Sequence, residues 1–171
     1  MGEPNQAVAY AALPTLPLSD AARSEQLGID PFPAAFDLIY GMVETVFTET
    51  GGVNHELIGI DFENGKPTGA NVLLVINIEE VPRLRALMLE RWPMVAHVFE
   101  AWAAPDASVP AHAHPDRYDI VAIMLNTLEF MAVANCRVTV ATKTIERAEL
   151  MMPDQVQGRL GRQLGPRTPV S

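Results

Sequence analysis

Asn64-Gly65 stands at the centre of a turn-forming stretch, Glu63-Asn64-Gly65-Lys66-Pro67-Thr68-Gly69, between two runs with strand character. Asn-Gly tolerates the positive φ that a two-residue hairpin turn demands, so the dipeptide is a strong local hairpin signal. On its N-terminal side, His55 to Phe62 alternates, with Ile58, Ile60 and Phe62 on one face. On its C-terminal side, Asn71 to Ile78 concentrates its β-branched residues between Val72 and Ile76. Two strands joined by so short a turn must pair antiparallel, which rules out an all-helical chain and an all-parallel sheet.

The flanking segments complete the pattern. Phe36, Ile39, Tyr40, Val43, Val46 and Phe47 recur at helical spacing between Pro33 and Thr50. Pro33 suits a first helical turn and Gly51-Gly52 a stop. Gly41, inside this helix, costs up to ~1 kcal/mol relative to Ala and implies a close contact. A second helix is predicted over Glu79 to Trp92, with Leu84, Leu87, Met88 and Trp92 as its apolar stripe and Pro93 as its end. Three strands follow: Met94 to Ala103, Tyr118 to Leu125, and, after a turn at Asn126-Thr127, Glu129 to about Thr144. In the last, Phe130, Ala132, Ala134, Cys136, Val138 and Val140 share a face. The expected fold is α+β: two helices on one side of a mainly antiparallel five-stranded sheet, in the order α-β-β-α-β-β-β. With 49% apolar residues in 171, the chain can fill the core of one such domain.

Residues 1–33 contain five prolines and no sustained period, and read as an extended Pro-rich arm with a short helical turn around Ser19 to Leu27, capped by Ser19 or Asp20. Residues 34–146 form the single α+β domain. Residues 147–171, rich in Pro, Gly, Arg and Gln, read as a flexible tail. The arm holds four acids against one arginine, the tail four arginines against two acids, so the middle carries nearly all of the net charge of −9. An acidic body is the wrong sign for phosphate, which argues against nucleic acid as a partner and for a protein partner or self-association. No apolar run approaches the ~20 residues of a membrane helix. There is no Lys or Arg before Arg23, so the basic start of a secretory signal is missing. The single cysteine, Cys136, cannot form an internal disulfide. These features predict a cytoplasmic protein, or one carried within a phage or other particle assembly.

Chemistry concentrates in the loop Pro105 to Arg117, which holds His112, His114, Asp116 and Arg117. In an extended segment, His-x-His points both imidazoles to one side, as two ligands of one metal require. Pro110, His112, His114 and Asp119 resemble the first motif of the cupins, which implies a metal held by His112, His114 and Asp119. Cupins carry Glu where Asp119 stands, a Gly further on and a second motif with another His; no His follows His114. The same stretch resembles the His-x-His-x-Asp-His motif of metallo-β-lactamases, with Arg117 in place of the last His. A third resemblance spans about residues 94–145. Glu100-Ala101-Trp102, ending a strand, followed by Pro115-Asp116-Arg117 and another apolar strand, is similar to a pattern in uncharacterised bacterial and phage-borne proteins. It implies a fold and no activity.

Glu100 shares its strand face with Met94, Ala96, Val98 and Trp102, where a carboxylate needs a partner; Arg117 or Arg137 supplies a buried ion pair. The alternative role is a general acid or base. His97, among Val95, Phe99 and Ala101, reads as a hydrogen-bonded core histidine. No serine lies in a nucleophile motif, and Cys136, between Ala134 and Val138, reads as buried and inert. No catalytic set is complete. The leading expectation is a non-catalytic protein-interaction or assembly protein of a bacterium or its phage, acting through its ends or a strand edge. No cofactor is expected; a small metal-dependent enzyme using His112 and His114 is the second reading, and it alone would require a divalent metal there. A small-molecule or peptide-binding module using some of the eight methionines is the third.

Overall fold

The computed structural model describes residues 17–152 and the backbone of residues 165–166. The hairpin forms where Asn-Gly requires it: β1 (Glu56–Glu63) and β2 (Lys66–Leu74) pair antiparallel around Asn64, at φ 51°, and Gly65, at φ 78°. The remaining strands are β3 (Met94–Ala103), β4 (Tyr118–Asn126), β5 (Met131–Thr139), β6 (Thr144–Ile145) and β7 (Gly165–Pro166). Every neighbouring pair is antiparallel, in the order β2-β1-β3-β4-β5-β6, with β7 beside Ala101 and Trp102 of β3. The sheet curls into a half-barrel.

This corrects the expected two helices on five strands. There are three helices, α1 (Asp20–Leu27), α2 (Phe32–Thr50) and α3 (Val81–Leu89), and a six-stranded path among the described residues. α1 is the short helical turn expected around Ser19 to Leu27, within a stretch otherwise read as extended. Eight residues are too few for a helix to be stable alone, and tertiary bonds hold it. The Ser19 hydroxyl caps it by accepting the Ala22 N–H. Arg23, 7% exposed, donates to the Trp92 carbonyl at 3.0 Å, and the Gly65 N–H donates to the Gln26 carbonyl at 2.9 Å. The close approach of Gly28 and Gly65, with φ of 68° and 78°, leaves only 3.1 Å between the position of a Cβ on Gly28 and the Gly65 Cα.

The extra strand arises because the run read as continuous to Thr144 breaks after Thr139. The Lys143 N–H donates to the Val140 carbonyl, Lys143 takes φ 53°, and β6 folds back so that Val138 faces Ile145. Val140 to Lys143 contains no Gly, Pro or Asn, so nothing in its composition marks the turn. Residues 1–16 of the N-terminal arm and the tail from residue 153 lie outside the described residues, β7 excepted.

The helices cover both faces of the sheet, not one. α2 starts with Pro33 in its first turn and stops at Gly51, whose φ of 77° sends its N–H back to the Phe47 carbonyl. Phe36, Ile39, Tyr40, Val43 and Phe47 bury against Ile58, Ile60, Met94, Ala96, Val98, Val121 and Ile123. Each such side chain contributes about 1.5–3 kcal/mol on leaving water. Val46 escapes that face and is 42% exposed. Gly41 is exposed, with no atom within 4 Å of the place a Cβ would take, so it marks no close contact. α3 packs on the other face, where Val81, Leu84, Met88 and Trp92 meet Leu57, Leu73 and Val95. Trp92 lies flat over Gly59; a Cβ there would sit 2.3 Å from the indole. A short 3-10 turn, Ile78–Glu80, precedes α3, with the Asn77 side chain accepting the Glu79 N–H.

Candidate functional site

The loop between β3 and β4 places its two histidines in different environments. A 3-10 turn at Ala111–Ala113 replaces the extended segment, so His112 is exposed while His114 is buried, 4% exposed. Both ring nitrogens of His114 are engaged. Nδ1 accepts the Asp116 N–H at 3.0 Å, which leaves the proton on Nε2 to donate to Asp106 at 3.1 Å. Ser108 donates to the same Asp106 oxygen from its hydroxyl at 2.5 Å and its backbone N–H at 2.9 Å. The Ser108 hydroxyl bond, its backbone bond and His114 hold the Asp106 carboxyl below the usual range. Ser, His and Asp are thus near one another in the wrong order for nucleophilic catalysis. The serine hydroxyl donates its hydrogen bond to the carboxylate and not to the imidazole. The network braces the loop. Arg117 completes it, donating to the His112 carbonyl at 3.0 Å and lying 4.8 Å from the Trp102 ring.

Asp119 sits on β4 opposite Trp102. Among the described residues, no three His, Cys, Asp or Glu side chains converge as metal ligands would. Glu100 is half-buried on the α2 face beside Gly52, with Glu56 diagonally across on β1. Burial pushes the Glu56 carboxyl up. Arg117 sits over Trp102; Arg137 is on the opposite face, 4.3 Å from the Tyr118 ring, because β5 residues paired with Ile120 point away from α2. The sheet pleat therefore separates Glu100 from Arg137. Cys136 is buried under α2, and burial pushes its thiol up, away from the reactive thiolate.

Two features were not singled out from the sequence. The first is a histidine pair. His97 on β3 and His55, just before β1, bring their Nε2 atoms to 2.6 Å, with rings stacked at 4.8 Å and Phe99 beside them. Burial, His55 and then Arg85 push the His97 imidazole down to about 3, and burial lowers His55. Both shifts favour the uncharged ring, in which one Nε2–H can donate to the other Nε2. The pair depends on β1 lying beside β3, strands far apart in sequence.

The second is a groove of about 460 Å³ at the end of the sheet, between the α1–α2 connection and the β4–β5 turn. Large apolar side chains stand in water around it: Ile29 at 104% exposure, Leu128 and Phe130 at 54%, and Met152 at 39%. Phe130 was expected on the buried face of the last strand. β5 instead begins at Met131, and Ala132 to Val138 keep the inward alternation that Phe130 loses. The Thr127 hydroxyl fixes the turn by accepting the Glu129 and Phe130 N–H groups. Asp20, Asp30 and Glu129 stand around the groove, and Arg23 is its one cation among the described residues.

No protein family model, no curated protein and no solved structure matches the chain.

Proposed function

We propose that the protein is a non-catalytic interaction module whose groove receives an apolar segment of a partner protein. The observation that carries this reading is the convergence of Ile29, Leu128 and Phe130, each more than half exposed, on one concavity. Leaving several large apolar side chains in water costs stability, and contiguous apolar surface of this kind commonly marks an interaction site. The groove is large enough to take a few side chains and is built from three separate parts of the chain. The expected role as an assembly or accessory protein is consistent with such a surface. The braced Asp106–His114 loop and the inert Cys136 offer no competing reactive centre.

The test is selection of a random twelve-residue peptide display library on the full chain, with recovered peptides re-measured on Phe130→Asp and Leu128→Asp. Both positions are exposed, so the variants keep the fold, which circular dichroism checks. Recovered peptides are expected to carry large apolar residues and to lose at least about tenfold in affinity on either variant, since a buried aspartate without a partner costs over 1.4 kcal/mol. Peptides that bind both variants as well as the parent chain, or no recovered peptide at all, would falsify the groove as a docking site.

A further inference from the structure

Resting on that reading, we infer that the segment docked in the groove is basic, with Lys or Arg flanking its apolar residues. The rim carries Asp20, Asp30 and Glu129. Among the described residues, Asp30 and Glu129 form no ion pair. Asp20 is partly offset by Arg23, three residues on in α1. Arg23 does not neutralise the rest. Its guanidinium is turned inward, 7% exposed, and donates to the Trp92 carbonyl.

The apolar floor and the acidic rim select together. An apolar segment bearing acids would bring like charges against Asp30 and Glu129 as water leaves the groove, whereas Lys or Arg flanks would meet them at the wet margin. The net charge of −9 over the whole chain adds a longer-range attraction for cationic partners, one that salt screens. The same charge opposes a second copy of this chain as the occupant. Exposed pairs of this kind are each worth roughly 0.2–1 kcal/mol, so each rim carboxylate should change affinity by about 1.4- to 5-fold.

Two readouts test the inference. The peptide selection is run in parallel on the parent chain and on a variant carrying Asp30→Lys and Glu129→Lys, and binding of the recovered peptides is measured at low and high salt. The parent chain is expected to enrich peptides with Lys or Arg beside Leu, Phe or Ile, weakening about tenfold between roughly 0.05 and 0.5 M salt as the charges are screened. The variant is expected to shift enrichment toward Asp and Glu. Groove-dependent peptides with no charge bias on either protein, or with salt-independent affinity, overturn the basic partner and leave the docking groove standing. Peptides indifferent to Phe130→Asp overturn both. A concentration-dependent dimer in sedimentation, abolished by Phe130→Asp, would make a second copy the occupant and likewise overturn the inference.

Discussion

His97 shows how a single side chain couples this fold to pH. Its imidazole is pushed down to about 3, against an ordinary value of 6.5, because protonation would place a charge in a nearly dry site beside His55 and Arg85. Above pH 6.5 both folded and unfolded chains hold it neutral, so its contribution is fully present. As the pH falls below 6.5 the unfolded chain takes up a proton that the folded chain refuses, and stability drops toward pH 3. Between about pH 7 and pH 5 this group alone should cost about 2 kcal/mol. Urea midpoints measured across that range should fall for the parent chain and flatten for His97→Phe. Equal slopes in the two proteins would show that the pair does not set acid sensitivity. Two glycines give opposite expectations. Gly59→Ala drives a Cβ into the Trp92 indole and should cost about 3 kcal/mol by overpacking. Gly41→Ala meets open space on an exposed helix face and should gain about 0.5–1 kcal/mol. Thermal melts of the two variants moving in the same direction would contradict this account. From sequence both are merely glycines inside regular elements, and only the packing separates them.

At the scale of elements, what was legible follows from how far each signal reaches along the chain. The β1–β2 hairpin rests on adjacent residues, Asn64 and Gly65, whose preferences act locally, and it formed as read. α2 carries nineteen residues of sustained period with a proline start and a glycine stop, so its existence and most of its buried face were readable. α1 was readable as a short turn over Ser19 to Leu27 capped by Ser19 or Asp20, but its docking was not, because an eight-residue helix depends on what it touches. Arg23 is the test of that dependence. Arg23→Met keeps the volume and removes the bond to the Trp92 carbonyl, leaving a buried acceptor unpaired. A loss of about 1–3 kcal/mol and faster amide exchange through α1 are expected. Unchanged protection in α1 would mean that apolar packing alone holds it. The candidate loop was half legible. The sequence placed His112, His114, Asp116 and Arg117 together, but the 3-10 turn at Ala111 leaves His112 in water and buries His114.

For the whole molecule, α1 closes one end of the half-barrel and forms one wall of the groove, so the N-terminal region contributes to the core as well as to any contact it makes. Removing residues 1–33 would take away Arg23, Ile29 and Asp30 with it. Such a truncation would therefore weaken the fold and the groove together, and point substitutions are the cleaner probes.

The sequence by itself determined the α+β class, the antiparallel sense of the sheet, the hairpin at Asn64-Gly65, the helix after Pro33 and the acidic charge of the body. Each follows from local backbone preference, periodicity or a sum over residues, none of which needs to know what lies across the fold. The tertiary structure decided the strand order that sets β1 beside β3, the histidine pair this creates, the break after Thr139, and the docking of α1. It also decided that Ile29, Leu128 and Phe130 remain in water around one groove. These depend on contacts between residues far apart in the chain. Hydrophobic burial drives such contacts without direction, and the chain's own spacing does not encode which apolar residues end up left out.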